Sequence, residues 1–209
     1  MKRRETNGGP YGDVTRLRAG GSVLVIVLAA LVLAAGCRGP AAPGLTEAPR
    51  IGGPFSLVDQ SGARVDQRLL LGRWSAVYFG YTVCPDVCTT TLSALGAAQV
   101  RLGADARRFQ VVFITIDPLR DTPRQLRDYL LSPSFPRPIV GLTGSPDEIA
   151  AVAHAYGVYY RRAGKGADYA MDHTSIVYLM NPAGRFDRPL PQGDPAAIAQ
   201  QIRRAMSGE

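Results

Sequence analysis

The amino-acid sequence predicts an α/β fold in which helices flank a mixed sheet. Through residues 50–209, short apolar runs of strand length alternate with segments of helical periodicity, and this alternation is typical of helices layered on a sheet. The chain then closes with two strands joined by a turn and a last helix, so the sheet is expected to contain antiparallel strands as well as parallel ones. A length of 209 residues with 46% hydrophobic content suits one globular domain and an appendage.

Local patterns predict the individual elements. Residues 55–58 and 64–65 flank a polar turn and predict a short hairpin. β-branched and aromatic residues at 74–79 predict the first core strand, which Gly80 ends. Thr122 and Ser145 begin capping-box patterns. The remaining expected elements are helices at 85–102, 122–131, 145–157 and 194–206, strands at 110–116, 139–142, 174–180 and 185–186, an extended segment at 158–161 and a loop at 163–167.

Residues 1–36 predict a signal peptide or membrane anchor. Five Lys and Arg residues precede an apolar run at 23–35, which is the charge pattern of membrane-targeting segments. The run is short for a spanning helix, which needs about 17 to 25 residues, but it suits a signal peptide. Residues 33–37, Leu-Ala-Ala-Gly-Cys, resemble a bacterial lipobox, so Cys37 is the expected lipidation site; an uncleaved anchor is the alternative.

The N-terminal segment sets the expected location of the rest of the chain. Residues 37–49 are rich in Gly, Pro and Ala and predict a linker, and residues 50–209 form the predicted domain. With either a lipid or an anchor, this domain is expected to be membrane-tethered and to face the periplasm or the cell exterior.

The charge distribution argues against nucleic acid as a partner. Of the net charge of +7, the first 36 residues carry +3, which leaves +4 for the remaining 173 residues. No basic run interleaved with aromatic residues accompanies this small excess. The predicted export of the domain argues against nucleic acid more strongly.

Cys84 and Cys88 are the chemically distinctive residues. With Pro85 at the first helical position, Cys84 is expected near the N-cap, where unpaired N–H groups lower a thiol pKa from about 8.5 into the range of roughly 3.5 to 7.5. If Cys84 and Cys88 share one helical face, their Cβ atoms lie about 5 to 6 Å apart, which suits a shared metal ion or a redox disulfide. A structural disulfide closing so short a loop would stabilise little; inert thiols are the other alternative. A cysteine pair after the first core strand predicts a thioredoxin-like fold.

The chain has two histidines, and their positions differ. His154 falls off the apolar stripe of its predicted helix, so we expect it to face solvent. His173 is expected at the entry to a core strand, after a flexible segment, where it can reach the mouth of the sheet. A loop histidine without a task is the alternative interpretation of His173.

Four motifs in order resemble the Sco/SenC/PrrC family of copper-binding thioredoxin-like proteins across nearly the whole predicted domain. These motifs are Val77–Thr82 with Cys84–Cys88, Asp117–Pro123, Gly141–Gly144 with Ala155–Tyr160, and Asp172–Ile176 with Tyr178–Leu179. The resemblance implies that Cys84, Cys88 and His173 bind one copper ion. Thr89 stands where the family usually has proline, and Val83 where histidine is frequent.

The resemblance also implies a function and a partner. The family member is expected to be a copper chaperone that helps to assemble the binuclear copper site of cytochrome c oxidase, with the copper-site subunit of that oxidase as its partner, and not an enzyme. The alternatives are a thiol–disulfide oxidoreductase, in which Cys84 attacks and Cys88 resolves, and a copper-responsive redox sensor. His173 distinguishes the copper chaperone from the oxidoreductase, because a copper site needs this residue and an oxidoreductase does not.

Donor chemistry agrees with copper as the metal. Two thiolates and an imidazole form a soft set suited to Cu(I), and with Cu(II) they resemble the His/Cys sites that tune copper. Zinc could use the same residues with water as a fourth ligand, but zinc loses to copper where both are available. Met171 and Asp172 are close enough in sequence to be weak extra ligands. Asp117, Arg120 and Asp121 are expected to form an ion-paired polar rim near the strand end.

Overall fold

Residues 51–209 are described by the structure, a computed structural model in which a seven-stranded mixed sheet is central. The strands in this range are β1 (Ser56–Asp59), β2 (Arg64–Asp66), β3 (Trp74–Gly80), β4 (Phe109–Thr115), β5 (Ile139–Thr143), β6 (Tyr160–Ala163), β7 (Ala170–His173), β8 (Val177–Met180) and β9 (Phe186–Leu190). The α-helices are α1 (Val87–Leu102), α2 (Pro123–Tyr129), α3 (Pro146–Ala155) and α4 (Pro195–Ser207). Two 3₁₀ helices lie at Gln67–Leu70 and Gly103–Arg108.

The sheet confirms the predicted mixed topology. Its strand order is β2-β1-β5-β4-β3-β8-β9, with β3, β4 and β5 parallel and the outer strands antiparallel to their neighbours. Every residue of β3 and β4 is buried, because these central strands have neighbours on both edges and packing on both faces. Their continuous apolar sequences therefore predicted them well.

The helix starts follow their capping residues. The Thr122 hydroxyl accepts from the Gln125 N–H at the start of α2, and Ser145 forms a complete capping box with Glu148 at the start of α3. Asp194 accepts from the Ala196 N–H at the start of α4. Each side chain satisfies a backbone N–H that has no partner within its helix. These three predicted starts are confirmed, although α2 ends at Tyr129 rather than at residue 131.

The start of α1 differs from the prediction. The helix begins at Val87 and its N-cap is Asp86, so Cys84 lies two residues before the N-cap and outside the helix. A turn precedes the helix instead, in which the Cys84 N–H donates to the Tyr81 carbonyl at 3.3 Å. Proline at the first helical position was a sound general rule, but here Pro85 belongs to the loop.

The segment around His173 also differs from the prediction. Strand β8 begins at Val177, and His173 ends β7, which pairs with β6 in a separate two-stranded sheet. The predicted loop at 163–167 lies at the tip of this hairpin. Along β7, Met171 and His173 are half-buried while Ala170 and Asp172 are exposed, so the first pair shares one face of the hairpin.

The predicted segments 1–36 and 37–49, together with Cys37, lie outside the described residues. Within 51–209, no helix combines the length and the apolar character that crossing a membrane requires.

Candidate metal centre

The three predicted ligands meet at the carboxyl end of β3. Cys84 comes from the turn after the strand, Cys88 from the first turn of α1, and His173 from the end of β7. One ligand atom from each residue lies within 4.8 Å of the other two. The Cys88 Sγ and His173 Nε2 atoms are 3.9 Å apart. The fold therefore gathers into one group three residues that are widely separated in sequence.

Burial distinguishes the two cysteines. Cys88 is fully buried, whereas Cys84 is half-buried and lines a cavity of about 350 Å³ together with His173 and Met171. Both cysteines are free thiols. Cys84 therefore lies on the open side of the site, whereas Cys88 is enclosed by the core.

Gly80 allows Cys88 to approach the strand closely. A Cβ atom on Gly80 would lie 2.8 Å from the Cys88 sulfur and 2.8 Å from the Phe113 ring, closer than any side-chain carbon is tolerated. Only glycine fits here, because the first turn of α1 packs directly on the last residue of β3. The sequence predicted that Gly80 ends a strand, but it did not predict that Gly80 makes room for the Cys88 sulfur.

Burial also sets the protonation state of Cys88. It raises the pKa of the thiol to about 12, since a buried environment disfavours the charged thiolate. The predicted activation of a thiol by a helix start therefore does not describe Cys88, the cysteine that the structure places in the first turn. A metal ion must displace this proton in order to bind the sulfur.

His173 presents Nε2 to the cysteines. Its Nδ1 lies 2.9 Å from the Thr174 carbonyl oxygen, and since a carbonyl only accepts, Nδ1 carries the proton and the Nε2 lone pair is free. Burial lowers the pKa of the ring, so the neutral form is favoured, as a metal ligand requires. Edge contacts from Tyr78 and Tyr81, at 6.5 and 6.0 Å between ring centroids, hold the ring in place.

Asp117 and Asp121, together with Arg120, are the residues of the ion-paired polar rim that the sequence predicted near the strand end. Both aspartates are buried, at 3% and 0% exposure. The predicted ion pair exists, since Arg120 binds the Asp117 carboxylate, but it lies beneath the hairpin β6–β7. Asp121 accepts from the Thr82 N–H at 3.0 Å and from the Thr82 hydroxyl at 2.6 Å. Sequence reasoning missed that these carboxylates face inward; the polar residue Thr115 within an otherwise apolar buried strand was the available signal.

The other candidate residues have separate positions. His154 is exposed on α3, as predicted. Asp172 is exposed and pairs with Arg161 at 2.7 Å, so its carboxylate is engaged on the outer side of the hairpin. Met171 lines the cavity with Cys84 and His173. The donor set formed by two sulfurs and one imidazole nitrogen fits a soft metal ion such as Cu(I).

A family model described as SCO1/SenC matches residues 43–207 of the sequence. The chain belongs to the SCO1/SenC family. This membership confirms the predicted resemblance. Among the family's curated proteins, Protein SCO1 homolog 1, mitochondrial, of Arabidopsis thaliana is 44% identical over 138 residues, which are 65% of this chain and 41% of that protein. The chain spans about half the length of the curated relatives it matches.

Solved structures of SCO1/SenC relatives match the fold. Arabidopsis thaliana ScoI with copper bound superposes with a TM-score of 0.71 at 37% identity, covering 76% of this chain and 99% of that one. Bradyrhizobium japonicum ScoI with copper bound superposes with a TM-score of 0.68 at 42% identity, covering 74% and 98%. The thioredoxin-like prediction is confirmed by these matches.

Proposed function

We propose that this protein is a copper chaperone that binds one copper ion through Cys84, Cys88 and His173 and delivers it to the copper-site subunit of cytochrome c oxidase. The observation that carries the proposal is the convergence of the three ligand atoms within 4.8 Å. Two sulfurs and an imidazole are the donors that copper favours. The copper-bound ScoI structures support copper as the cargo, and the resemblance of the sequence motifs to the family implies the oxidase subunit as the partner.

Each ligand contributes differently to holding and releasing the cargo. Neutral His173 offers Nε2 without losing a proton, while Cys88 must lose its proton to the surroundings as the metal binds. Cys84 lies on the open side of the site. An incoming ligand from the partner can therefore replace the Cys84 sulfur first, while Cys88 and His173 still hold the ion. This order lets copper pass between proteins without release into water.

The proposed location follows the N-terminal pattern. Lipidation at Cys37 or an uncleaved anchor at residues 1–36 would tether the domain, and residues 37–49 would let it reach a membrane-embedded partner from the periplasm or the cell exterior.

A copper titration of the full-length chain tests the proposal. A Cys37→Ser background leaves Cys84 and Cys88 as its thiols. The reduced protein is expected to bind one copper ion per chain, and oxidation of the pair to a disulfide is expected to abolish binding, because the ligand sulfurs must be reduced and deprotonated. Mixing the loaded protein with a soluble fragment of the oxidase copper subunit should then transfer the ion. Stoichiometry that survives oxidation would contradict the shared site.

A thiol–disulfide oxidoreductase is the second candidate function, and one observation favours it. The half-buried Cys84 and the buried Cys88 lie within 4.8 Å of each other, which is the arrangement of an attacking and a resolving thiol. The two functions are compatible, since the pair must be reduced before copper binds. Dithiol–disulfide exchange that continues without His173 separates this activity from copper binding.

A further inference from the structure

We propose that Arg120 is a positioning residue that holds the His173 hairpin in register with the cysteines, and this inference rests on the proposed copper site. Arg120 lies in the loop between β4 and α2, outside the ligand set. The loop contacts both halves of the site, the hairpin through Arg120 and the cysteine turn through the neighbouring Asp121.

On the histidine side, Arg120 joins the hairpin to the loop. Its Nη1 donates to the Tyr169 carbonyl at 2.9 Å, and its guanidinium stacks on the Tyr169 ring at 3.6 Å from the centroid. Its Nε donates to Asp117, whose other carboxylate oxygen accepts from the Tyr169 hydroxyl at 2.6 Å. Tyr169 immediately precedes β7, so these contacts fix the strand that ends at His173.

On the cysteine side, Asp121 holds the turn. Its carboxylate accepts from the N–H and hydroxyl of Thr82 and from the Thr115 hydroxyl at 2.6 Å. Thr82 lies inside the turn that leads to Cys84. Adjacent residues of one loop thus set the position of the cysteines relative to the histidine. A guanidinium that donates to two different acceptors and also stacks on a ring restricts movement more than a single hydrogen bond does.

The hairpin needs such a connection. Strands β6 and β7 pair with each other and not with the seven-stranded sheet, and an isolated two-stranded hairpin is at best marginally stable in water. One further link comes from the Met171 N–H, which donates to the Tyr81 hydroxyl at 3.3 Å; Arg120 also lies 5.8 Å from the Tyr81 ring centroid. Loss of Arg120 would therefore let His173 move away from the sulfurs while the sheet stays folded.

The test compares variants of the full-length chain in the Cys37→Ser background. Arg120→Ala removes the hydrogen bonds of the guanidinium to Asp117 and to the Tyr169 carbonyl, together with its stacking on the Tyr169 ring. Tyr169→Phe keeps the ring and removes only the hydroxyl that donates to Asp117. Arg124→Ala is the matched control, because Arg124 is exposed and its ion pair within residues 51–209 is with the exposed Asp128, at 3.9 Å. His173→Ala is the reference for a lost ligand. The probe is copper alone, and each variant is also assayed for dithiol–disulfide exchange.

Two readouts separate positioning from a merely structural role. In the reduced, metal-free protein, Arg120→Ala is expected to speed amide hydrogen exchange at Met171 and His173. With Cu(II), it is expected to weaken affinity about 10-fold to 100-fold, the range that partners of metal ligands usually contribute, and to diminish the thiolate-to-Cu(II) absorption as His173→Ala does. In Arg120→Ala, Cu(I) affinity should fall less than Cu(II) affinity, and dithiol exchange should continue. Tyr169→Phe should change the same properties by a smaller amount than Arg120→Ala does. Arg124→Ala should match the wild type.

The positioning role would be overturned if Cu(II) affinity and absorption are unchanged in both Arg120→Ala and Tyr169→Phe but are lost in His173→Ala. The copper site itself would then still stand. This holds even if hydrogen exchange is faster, since the link would then serve only the fold. If Arg120→Ala does not fold, Tyr169→Phe decides. A wild-type protein without thiolate-to-Cu(II) absorption would instead overturn the proposed function, and the inference with it.

Discussion

His173 offers one nitrogen to the cysteines because its other nitrogen is engaged by its own neighbour. The Nδ1–H donates a hydrogen bond to the Thr174 carbonyl, and burial favours the neutral ring. Cys88, in contrast, is buried as a neutral thiol. The same environment thus prepares the histidine for a metal and makes the buried cysteine depend on the metal for its ionisation.

Replacing His173 by alanine tests the copper site most directly. We expect His173→Ala to abolish the thiolate-to-Cu(II) absorption, because the nitrogen ligand stabilises Cu(II) against reduction by the two thiolates. Two sulfurs remain, so Cu(I) should still bind, more weakly. Exchange by Cys84 and Cys88 should continue near its original rate. Visible absorption, Cu(I) competition and exchange kinetics measure these effects.

His154→Ala is the matched control, because His154 is exposed on α3 and is expected to affect none of these properties. A His173 variant that keeps its Cu(II) absorption, in cells that still assemble oxidase, would favour the oxidoreductase instead.

The pH dependence of copper affinity follows from the raised pKa of Cys88. An acid with a raised pKa keeps its proton to higher pH, so Cys88, at about 12, stays protonated in the metal-free protein at neutral and mildly alkaline pH. Each proton that the metal displaces makes affinity rise about tenfold per pH unit, so Cu(I) affinity should rise at least that steeply between about pH 7 and pH 10. His173 adds no slope because its pKa is lowered. Competition with a chelator of known pH dependence measures this, and a flat profile would contradict it.

At the scale of elements, the end of β3 and the start of α1 fit together through Gly80. We expect Gly80→Ala to destabilise the reduced protein by about 1–3 kcal/mol, the usual cost of overpacking, because the new methyl meets Cys88 and Phe113. Copper affinity should fall too, since the Cys88 sulfur must move. Chemical denaturation and copper competition measure the two effects.

Gly53→Ala is a suitable control for the Gly80 substitution, because a Cβ at Gly53 meets, among residues 51–209, the Ala155 methyl alone, at an ordinary 3.4 Å. Normal stability and copper affinity in Gly80→Ala would mean that α1 can shift away from the strand freely.

At the scale of the whole molecule, the expected tether depends on residues outside the described range. We expect mature protein expressed in a bacterium to begin at a lipidated Cys37 and to fractionate with membranes, because residues 33–37 match a lipobox. Mass spectrometry of the N-terminal peptide checks this, with Cys37→Ser as the comparison. A mature protein that starts at Met1 and stays in the membrane would favour the uncleaved anchor.

The sequence by itself determined the mixed α/β sheet, the capped helix starts and the identity of the candidate ligands. Those features depend on local signals: apolar runs for β3 and β4, hydroxyl caps at Thr122 and Ser145, and a family motif around the cysteines. Local patterns persist in the fold because a cap satisfies backbone N–H groups of its own helix, and because a continuous apolar run must be buried wherever the strand is placed.

Only the tertiary structure decided how the site is built. It placed Cys84 in a turn and His173 on a separate hairpin, and it buried Asp117 and Asp121. Each of these outcomes depends on contacts between segments far apart in sequence, such as Thr82 with Asp121 and Arg120 with Tyr169. Burial likewise raised the pKa of Cys88, an effect that residue spacing does not predict. Long-range packing sets the local dielectric environment and the available partners, and neither can be obtained from residue spacing along the chain.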